Sequence, residues 1–327
     1  RVSGRQGMRR RAFMLSSGAV AVGGPRFSSA ASGGHVRRLE ILSAIPRNDA
    51  QSELLLAVLC ERFRQGGWVL GRDLHVGFHW VGSDMARADR LATELAQTKP
   101  EALLAVGAAA LSAAQQATRI VPIIFTLPGD QVDVEALAGL DWPGTNLAGI
   151  ADFESASLKR WLELLAACAP RLGHVALIVS TRVADYRLVP DWMPVVPIEA
   201  HSVAAITGTI EDLAGEPDTG LAILPNGFDA AHLDAIAAVA ARHRLPAVSS
   251  DPRFARCGGL ISYGANAADI YQRVALYIDL VLRGTKPSQL EIGRPIVFDL
   301  VVNLRTAKAL GLHVPPSIIA CADEVIG

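Results

Sequence analysis

The sequence predicts an α/β protein of two similar lobes, each a doubly wound parallel sheet with helices on both faces. Short apolar runs alternate with helix-like segments from residue 37 onward, and the alternation begins again after a Gly- and Pro-marked joint at 142–153. Strands that alternate with helices of this length are typical of βαβ units and parallel sheets. A chain of 327 residues, 50% of them hydrophobic, is long enough for two such cores.

The first half of the chain contains four predicted strands and three predicted helices. Apolar runs predict strands at 37–45, 74–80, 101–106 and 122–127. Apolar residues at helical spacing predict helices at 51–67, 84–97 and 109–118. The first of these helices ends at a pair of glycines, which is a common stop signal.

The second half repeats the alternation, with one exception. Helices are predicted at 154–169, 203–214 and 229–244, and strands at 174–180, 195–198, 220–226, 246–250 and 258–263. Residues 181–194 contain Pro190 and Pro194, which exclude a continuous helix there, so we expect the crossover helix to be missing or reduced to a turn. For the C-terminal residues 294–327, the sequence predicts a strand, a helix and a closing segment.

Residues 1–34 are typical of an export signal followed by a disordered lead. Three arginines follow Met8, an apolar run extends from Ala12 to Val22, and small residues at 28–31 suit a signal peptidase. The segment 10–15 also fits the twin-arginine pattern of folded export. We therefore expect a periplasmic protein; a basic disordered tail is the alternative reading.

Charge and motifs exclude several classes of function. The six arginines of residues 1–34 leave the rest of the chain net acidic, without a basic stripe, which argues against nucleic acid as a partner. Motifs for dinucleotides, for a P-loop and for a serine nucleophile are absent from the sequence. We expect no enzyme activity, no catalytic residues, no cofactor and no metal. His75 and His79 lie on a predicted strand, too far apart to share an ion.

The four cysteines are widely spaced and form no CxxC pair. Cys60, Cys168 and Cys321 lie in apolar helical contexts, which predicts buried and inert thiols. A disulfide stays open as an alternative, since the predicted compartment is oxidising.

Polar and glycine residues gather where predicted strands end. In parallel α/β sheets, ligands bind beyond the carboxyl ends of the strands, near helix N-termini that accept anions. The candidate ligand-binding residues are Arg47, Asn48, Gly107, Ala108, Ala109, Pro128, Asp130, Ser180, Thr181, Asn226, Gly227, Phe228, Ser262, Tyr263 and Asn266. Each loop taken alone could be a turn or a cap, but two lobes facing each other with such loops would form a ligand cleft.

Several blocks give the sequence a family resemblance. They include "LATELAQTKPEALLAVGAAALSAAQQATRIVPIIF", "ARHRLPAVSSDPRFARCGGLISYGAN" and, most specifically, "VVNLRTAKALGLHVPPSIIACADEVI". From Arg37 to its C-terminus the chain resembles the exported substrate-binding proteins of ABC transporters with a type I periplasmic-binding fold, whose better-known members bind amino acids.

The resemblance implies two lobes joined by three crossings, near 149–153, 264–267 and 295–300. Lobe 1 would comprise 35–150 with 267–294, and lobe 2 would comprise 151–266 with 295–327. Gly264 would supply backbone freedom at the second crossing. Ser262, Tyr263 and Asn266 would face the ligand or the hinge, and Asn48 would cap the first helix or contact the ligand.

The resemblance also implies a function. The protein would capture a small solute, an amino acid or a related compound, and deliver it to an ABC permease in the membrane; we expect a monomer. Family members commonly carry Asp-Pro-Val after the fourth strand, where this chain has "LPGDQVD"; whether Asp130 serves in place of the family's aspartate stays open. The alternatives are an exported sensor domain that signals to a partner protein, or a degenerate binder with an altered lobe 2.

Overall fold

The fold contains two β-sheets, and each sheet is covered by helices on both faces. The computed structural model describes residues 36–82, 84–127, 146–152, 155–179, 191–199, 202–213, 215–224 and 232–327. The described strands are β1 Arg37–Ser43, β2 Leu74–Trp80, β3 Ala102–Val106, β4 Ile123–Leu127, β5 Leu147–Ala151, β6 His174–Val179, β7 Val195–Glu199, β8 Thr219–Ile223, β9 Ala247–Ser249, β10 Ile261–Ala265, β11 Ile292–Gly293, β12 Phe298–Asn303 and β13 Glu324–Ile326.

Ten α-helices lie in the described part of the chain, together with a short 3₁₀ turn at Pro287–Gln289. They are α1 Ala50–Gln65, α2 Met85–Gln97, α3 Ala108–Ala117, α4 Ser155–Cys168, α5 Val203–Leu213, α6 Leu233–Arg242, α7 Pro252–Arg256, α8 Ala267–Leu282, α9 Leu304–Leu310 and α10 Pro316–Cys321.

The first sheet has the strand order β11-β5-β4-β3-β1-β2, and all its pairs are parallel. Helices α1 and α8 bury their apolar residues on one face of this sheet. The opposite face is covered by α2 and α3, whose alanines allow close approach to the strands. We call this sheet with its four helices lobe 1. Strands β3 and β5 are apolar throughout because both of their faces are buried, whereas the edge strand β2 is only partly buried.

The second sheet has the order β13-β12-β10-β9-β8-β6-β7. Its pairs are parallel except for β10 with β12, which run antiparallel. Helices α4, α9 and α10 pack on one face, around the fully buried Trp161, and α5, α6 and α7 pack on the other. We call this unit lobe 2. Both lobes belong to one compact unit, Val36–Gly327.

Three crossings connect the lobes. The chain leaves lobe 1 between β5 and α4, returns between β10 and α8, and leaves again between β11 and β12. The predicted fold class, two doubly wound lobes joined by three crossings, is confirmed. The exact lobe boundaries at 150, 266 and 294 stay a prediction. The predicted loss of a helix at 181–194 also stays a prediction, because 181–190 lie outside the described residues.

Two predictions about cysteines and one about a glycine were wrong. Cys60 and Cys321 are exposed, because Leu59 and Ile318 take the buried faces of their helices; Cys168 alone is buried, and all four thiols are free. Gly264 does not have a positive φ. The chain requires glycine there because an added Cβ would collide with the carbonyl oxygen of Ser250.

Candidate functional site

The strand ends that face the lobe boundary carry the candidate site. Eight of the predicted ligand contacts lie in the described residues: Arg47, Asn48, Gly107, Ala108, Ala109, Ser262, Tyr263 and Asn266. The other seven, Pro128, Asp130, Ser180, Thr181, Asn226, Gly227 and Phe228, lie outside them. They therefore stay predictions.

The loop after β1 was interpreted wrongly in one respect. Asp49, not Asn48, caps α1: its Oδ1 accepts a hydrogen bond from the N–H of Gln51 at 2.8 Å. Asn48 is exposed beside it. The guanidinium of Arg47 lies over the ring of Trp80, 5.2 Å from its centroid, which places Arg47 toward the β2 edge of the sheet. Strands β1, β3 and β4 lie between that edge and β5, from which the chain first crosses to lobe 2.

Helix α3 begins at the lobe boundary with a glycine at its N-cap, which has no side chain that could cap the helix. Gly107 occupies the N-cap position with a φ of 93°, in a region that L side chains rarely adopt, so glycine is needed here. Its N–H donates to the carbonyl of Thr126 at 2.8 Å. Ala108 and Ala109 follow, half-buried, with the N–H groups of the first turn. An uncapped helix N-terminus favours an anionic group.

Across the boundary, lobe 2 presents an arginine held by an aspartate. Asp251 caps α7 and accepts from both Nε and Nη2 of Arg253, at 3.0 and 2.6 Å for its Oδ2. The remaining Nη1 of Arg253 donates to Oδ2 of Asp49 at 3.1 Å. Since Asp49 belongs to lobe 1 and Arg253 to lobe 2, this ion pair joins the lobes. The Asp251 carboxylate, and then Asp49, raise the pKa of the Arg253 guanidinium.

Two polar side chains position the helix that carries this arginine. Ser262, only 1% exposed, accepts the N–H of Ala255 with its Oγ at 3.0 Å. Asn303 donates to the carbonyl of the same residue at 2.8 Å. The structure therefore gives Ser262 a positioning role within lobe 2, and its predicted contact with the ligand is not needed to explain it. A helix of five residues requires such support, because it has few hydrogen bonds of its own.

The second crossing is organised by Asn266. Its Oδ1 accepts the N–H of Asp269 and caps α8, while its Nδ2 donates to both carboxylate oxygens of Asp299 at 3.0 Å. Asp299 lies on β12, directly after the third crossing. Asn266 therefore ties two crossings together, and the expectation that it faces the ligand or the hinge stays a prediction.

Tyr263 packs at the same crossings. Its ring stacks on Phe298 with centroids 5.2 Å apart and planes 5° from parallel, and its carbonyl accepts from Trp161 Nε1 at 2.7 Å. These two rings line a shallow depression of about 260 Å³ together with residues of α4, among them Lys159 and Arg160. The two stacked rings thus form an aromatic surface beside the second and third crossings.

The buried phenol of Tyr271 and the carboxylate of Asp152 also lie near the lobe boundary. Tyr271 of α8 is 4% exposed, and burial raises the pKa of its phenol; the carboxylates of Asp152 and Asp49 raise the pKa further. Those two carboxylates follow β5 and β1 in lobe 1. Two strand ends of lobe 1 therefore each place a carboxylate near the hydroxyl of Tyr271.

Sequence reasoning did not identify four of these residues as part of the candidate site: Asp49, Asp152, Asp251 and Arg253. The Asp-Pro at 251–252 and the aspartate one residue before α1 are ordinary helix-start signals, and they identify caps without indicating a site. Only the assembled lobes show that the caps of α1 and α7 share one guanidinium.

Comparison with known proteins decides the family. Residues 70–326 match the sequence profile of the family described as ABC transporter substrate binding protein. The chain belongs to this family. The resemblance inferred from the sequence, including the type I periplasmic-binding fold, is thereby confirmed.

Individual relatives of this ABC transporter substrate-binding protein are distant. A tyrosine-binding protein of Clostridioides difficile (strain R20291) is 22% identical over 257 residues, which are 76% of this chain and 73% of the relative. An ABC domain from Streptococcus pneumoniae in complex with L-Trp has a TM-score of 0.78 at 18% identity, covering 89% of this chain and 100% of that one. A conserved domain protein from Vibrio cholerae has a TM-score of 0.77 at 19% identity, with the same coverage.

Members of the family are solute-binding proteins that bind small molecules for a membrane permease, and they are exported to the periplasm or the cell surface. In the part of this substrate-binding protein that the structure describes, no group of three potential metal ligands is found. Within the same residues, none of the helices combines the length and the apolar composition needed to cross a bilayer.

Proposed function

We propose that the protein is the exported solute-binding component of an ABC import system and that its ligand is an amino acid with an aromatic side chain. The ion pair between Asp49 and Arg253 carries the location of the proposed site, because it shows that the strand ends of the two lobes meet. The family match favours transport over the alternative of a sensor domain. The names of two relatives, which refer to tyrosine and L-Trp, support the ligand class.

The lobe boundary offers a separate partner for each part of such a ligand. The ligand carboxylate would lie on the first turn of α3, at Ala108 and Ala109, where the N-cap residue Gly107 has no side chain to offer the N–H groups. The ammonium group would lie near Asp152, in the acidic region beside Tyr271. The aromatic side chain would pack toward Tyr263.

The proposal extends to the partner and the compartment. The loaded protein would act as a monomer in the periplasm and deliver its solute to the permease. The twin-arginine segment at 10–15 and the rest of the proposed signal, 1–34, lie outside the described residues. Comparing the processing of the wild type with that of an Arg10→Lys, Arg11→Lys variant in cells tests the route, and equal export of both would contradict it.

A ligand series tests the site. L-Tyrosine and L-tryptophan are titrated by calorimetry beside tyramine, which lacks the carboxylate, and 3-(4-hydroxyphenyl)propionate, which lacks the ammonium group. We expect both deletions to weaken binding on the order of a hundredfold, since one removes the hydrogen bonds between the carboxylate and the N–H groups of α3 and the other removes the attraction between the ammonium group and Asp152. A hexose and a pentose serve as further probes. Binding of a sugar without binding of any amino acid would contradict the ligand class, and no binding at all would contradict solute capture.

A charge placed on α3 tests the carboxylate position. Ala109→Asp adds an acid to the first turn, where it stabilises the helix but repels a ligand carboxylate. Gln116→Glu adds the same charge at the far end of α3, on an exposed position. Amino-acid affinity should fall at least about tenfold in Ala109→Asp and stay unchanged in Gln116→Glu. Tyramine lacks the carboxylate, so its affinity should not fall in either variant. Equal affinities in both variants would contradict this placement.

A further inference from the structure

Two helix caps face each other across the lobe boundary and share one guanidinium. Asp49 caps α1 of lobe 1, Asp251 caps α7 of lobe 2, and Arg253 contacts both carboxylates. The contact between Arg253 and Asp49 exists only while the lobes are close, whereas the contact with Asp251 is internal to lobe 2. The arrangement thus distinguishes two positions of the lobes.

On the lobe 2 side, the arginine is oriented before it meets its partner. Asp251 occupies the Nε and Nη2 edge of the planar guanidinium, which leaves Nη1 directed at lobe 1. Ser262 and Asn303 fix the backbone of α7 at Ala255. Little side-chain entropy is left to lose when Nη1 finds its acceptor.

On the lobe 1 side, the acceptor is oriented as well. Oδ1 of Asp49 is held by the N–H of Gln51, so that Oδ2 is presented to Arg253. The side chain of Asp49 is only 16% exposed, and that of Asp251 is 11% exposed. Salt and water weaken such a pair less than they weaken a fully exposed one.

We propose that Arg253 and Asp49 form an interlobe latch, in which Arg253 acts as a positioning residue that stabilises the closed arrangement of the lobes independently of any ligand. The latch sets the ratio of open to closed protein. It therefore also sets the apparent affinity for solute, because the fraction of binding-competent protein scales the observed dissociation constant.

Native thiols make the ratio measurable. Cys60 on lobe 1 and Cys321 on lobe 2 are exposed, and Cys168 is buried. With Cys257→Ser in the full chain, Cys60 and Cys321 can be labelled with a dye pair, and single-molecule energy transfer reports the distance between the lobes. The measurement is made without ligand, so its result does not depend on the proposed function.

Three variants are compared in this background. Asp49→Asn keeps the helix cap but removes the charge, since asparagine caps as well as aspartate. Arg253→Gln removes the latch from the other side. Arg256→Gln is the matched control: Arg256 also lies on α7, but its partner Glu324, at 2.6 Å, belongs to the same lobe.

We expect Asp49→Asn and Arg253→Gln each to raise the ratio of open to closed protein on the order of tenfold, and the double variant to raise it no further than either one. Salt at about 1 M should open the wild type and leave the two variants unchanged. Arg256→Gln should behave as the wild type. Equal ratios for the wild type and both latch variants at low salt would overturn the proposal, and so would an equal opening by Arg256→Gln.

Discussion

Two clusters of charge in this protein use the same chemistry at different places. In lobe 1, Asp279 of α8 accepts from Trp68 Nε1 at 2.8 Å, from Arg283 at 2.9 Å and from Arg62 at 3.3 Å. At the lobe boundary, Asp49 accepts from Arg253, which Asp251 holds. The Asp279 cluster joins α1 to α8 inside one lobe, whereas the Asp49 cluster joins two lobes.

The location of a cluster determines whether it stabilises the fold of one lobe or the contact between the two lobes. A bond inside a lobe is lost only when the lobe unfolds, so the Asp279 cluster contributes to folding stability. A bond between lobes is lost whenever they separate, so the Asp49 cluster contributes to the conformational equilibrium. Four substitutions test this distinction.

The largest effect is expected for Asp279→Ala. The substitution leaves the indole N–H and two guanidinium groups without their shared, 6% exposed acceptor, and the free energy of unfolding should fall by about 3 kcal/mol. Urea denaturation measures the loss, and the interlobe distance should not change. Glu61→Ala, which removes the exposed partner of Arg64, should have no measurable effect. A loss as small as that of this control would show that the Asp279 cluster does not stabilise lobe 1.

Gly264→Ala tests the crossing between the lobes. The new Cβ would collide with the backbone carbonyl of Ser250, which cannot move without disturbing β9, and we expect about 2 kcal/mol of destabilisation. Gly208→Ala is the matched control, because an added Cβ there meets nothing within 4 Å. Gly208 lies inside α5, where alanine is the better helix former, so this variant should be more stable to unfolding by about 1 kcal/mol. Thermal unfolding of both variants decides whether space is the requirement at Gly264.

A smaller effect is expected for Ser262→Ala, which should change both the folding stability and the equilibrium between open and closed lobes. The N–H of Ala255 loses its buried acceptor, at a cost of about 1 to 2 kcal/mol in the free energy of unfolding. Helix α7 also becomes less fixed, so the lobes should open more often. A loss of amino-acid affinity in calorimetry with unchanged stability and unchanged opening would instead indicate direct contact with the ligand.

The smallest effect on folding is expected for Asp49→Asn. The cap of α1 is kept and the interlobe pair is partly exposed, so the free energy of unfolding should change by less than about 1 kcal/mol. Urea denaturation of this variant beside Asp279→Ala compares the two clusters directly. Similar losses in both would contradict the distinction between them.

Much of the fold could be predicted from local pattern. Apolar runs gave the positions of β1 to β4, and helical spacing gave α1 to α3 within two residues at each start. The strand 74–80 coincides with the prediction at both ends. It lies at the edge of its sheet and is only partly buried, and its apolar residues alternate at 74, 76, 78 and 80, as expected for a half-buried strand.

The site was predicted less completely. The family resemblance placed Asn266 near the second crossing, facing the ligand or the hinge, and the structure shows it hydrogen-bonded across two crossings. Asp49 and Arg253 were missed because each satisfies a local rule, a helix cap and a helix start, and local rules contain no information about the other lobe. Cys60 was expected to be buried because it lies in an apolar helical segment, but its neighbour Leu59 takes the buried face of α1.

The sequence by itself determined the two-lobe α/β class and, through recurring blocks, the family. These follow from short-range periodicity and from the composition of buried strands. Only the tertiary structure decided that the caps of α1 and α7 share a guanidinium, that Ser262 supports α7, and that Gly264 is needed for space. Each of these depends on contacts between residues distant in sequence, 204 positions apart for Asp49 and Arg253, and such contacts exist only once the chain has folded.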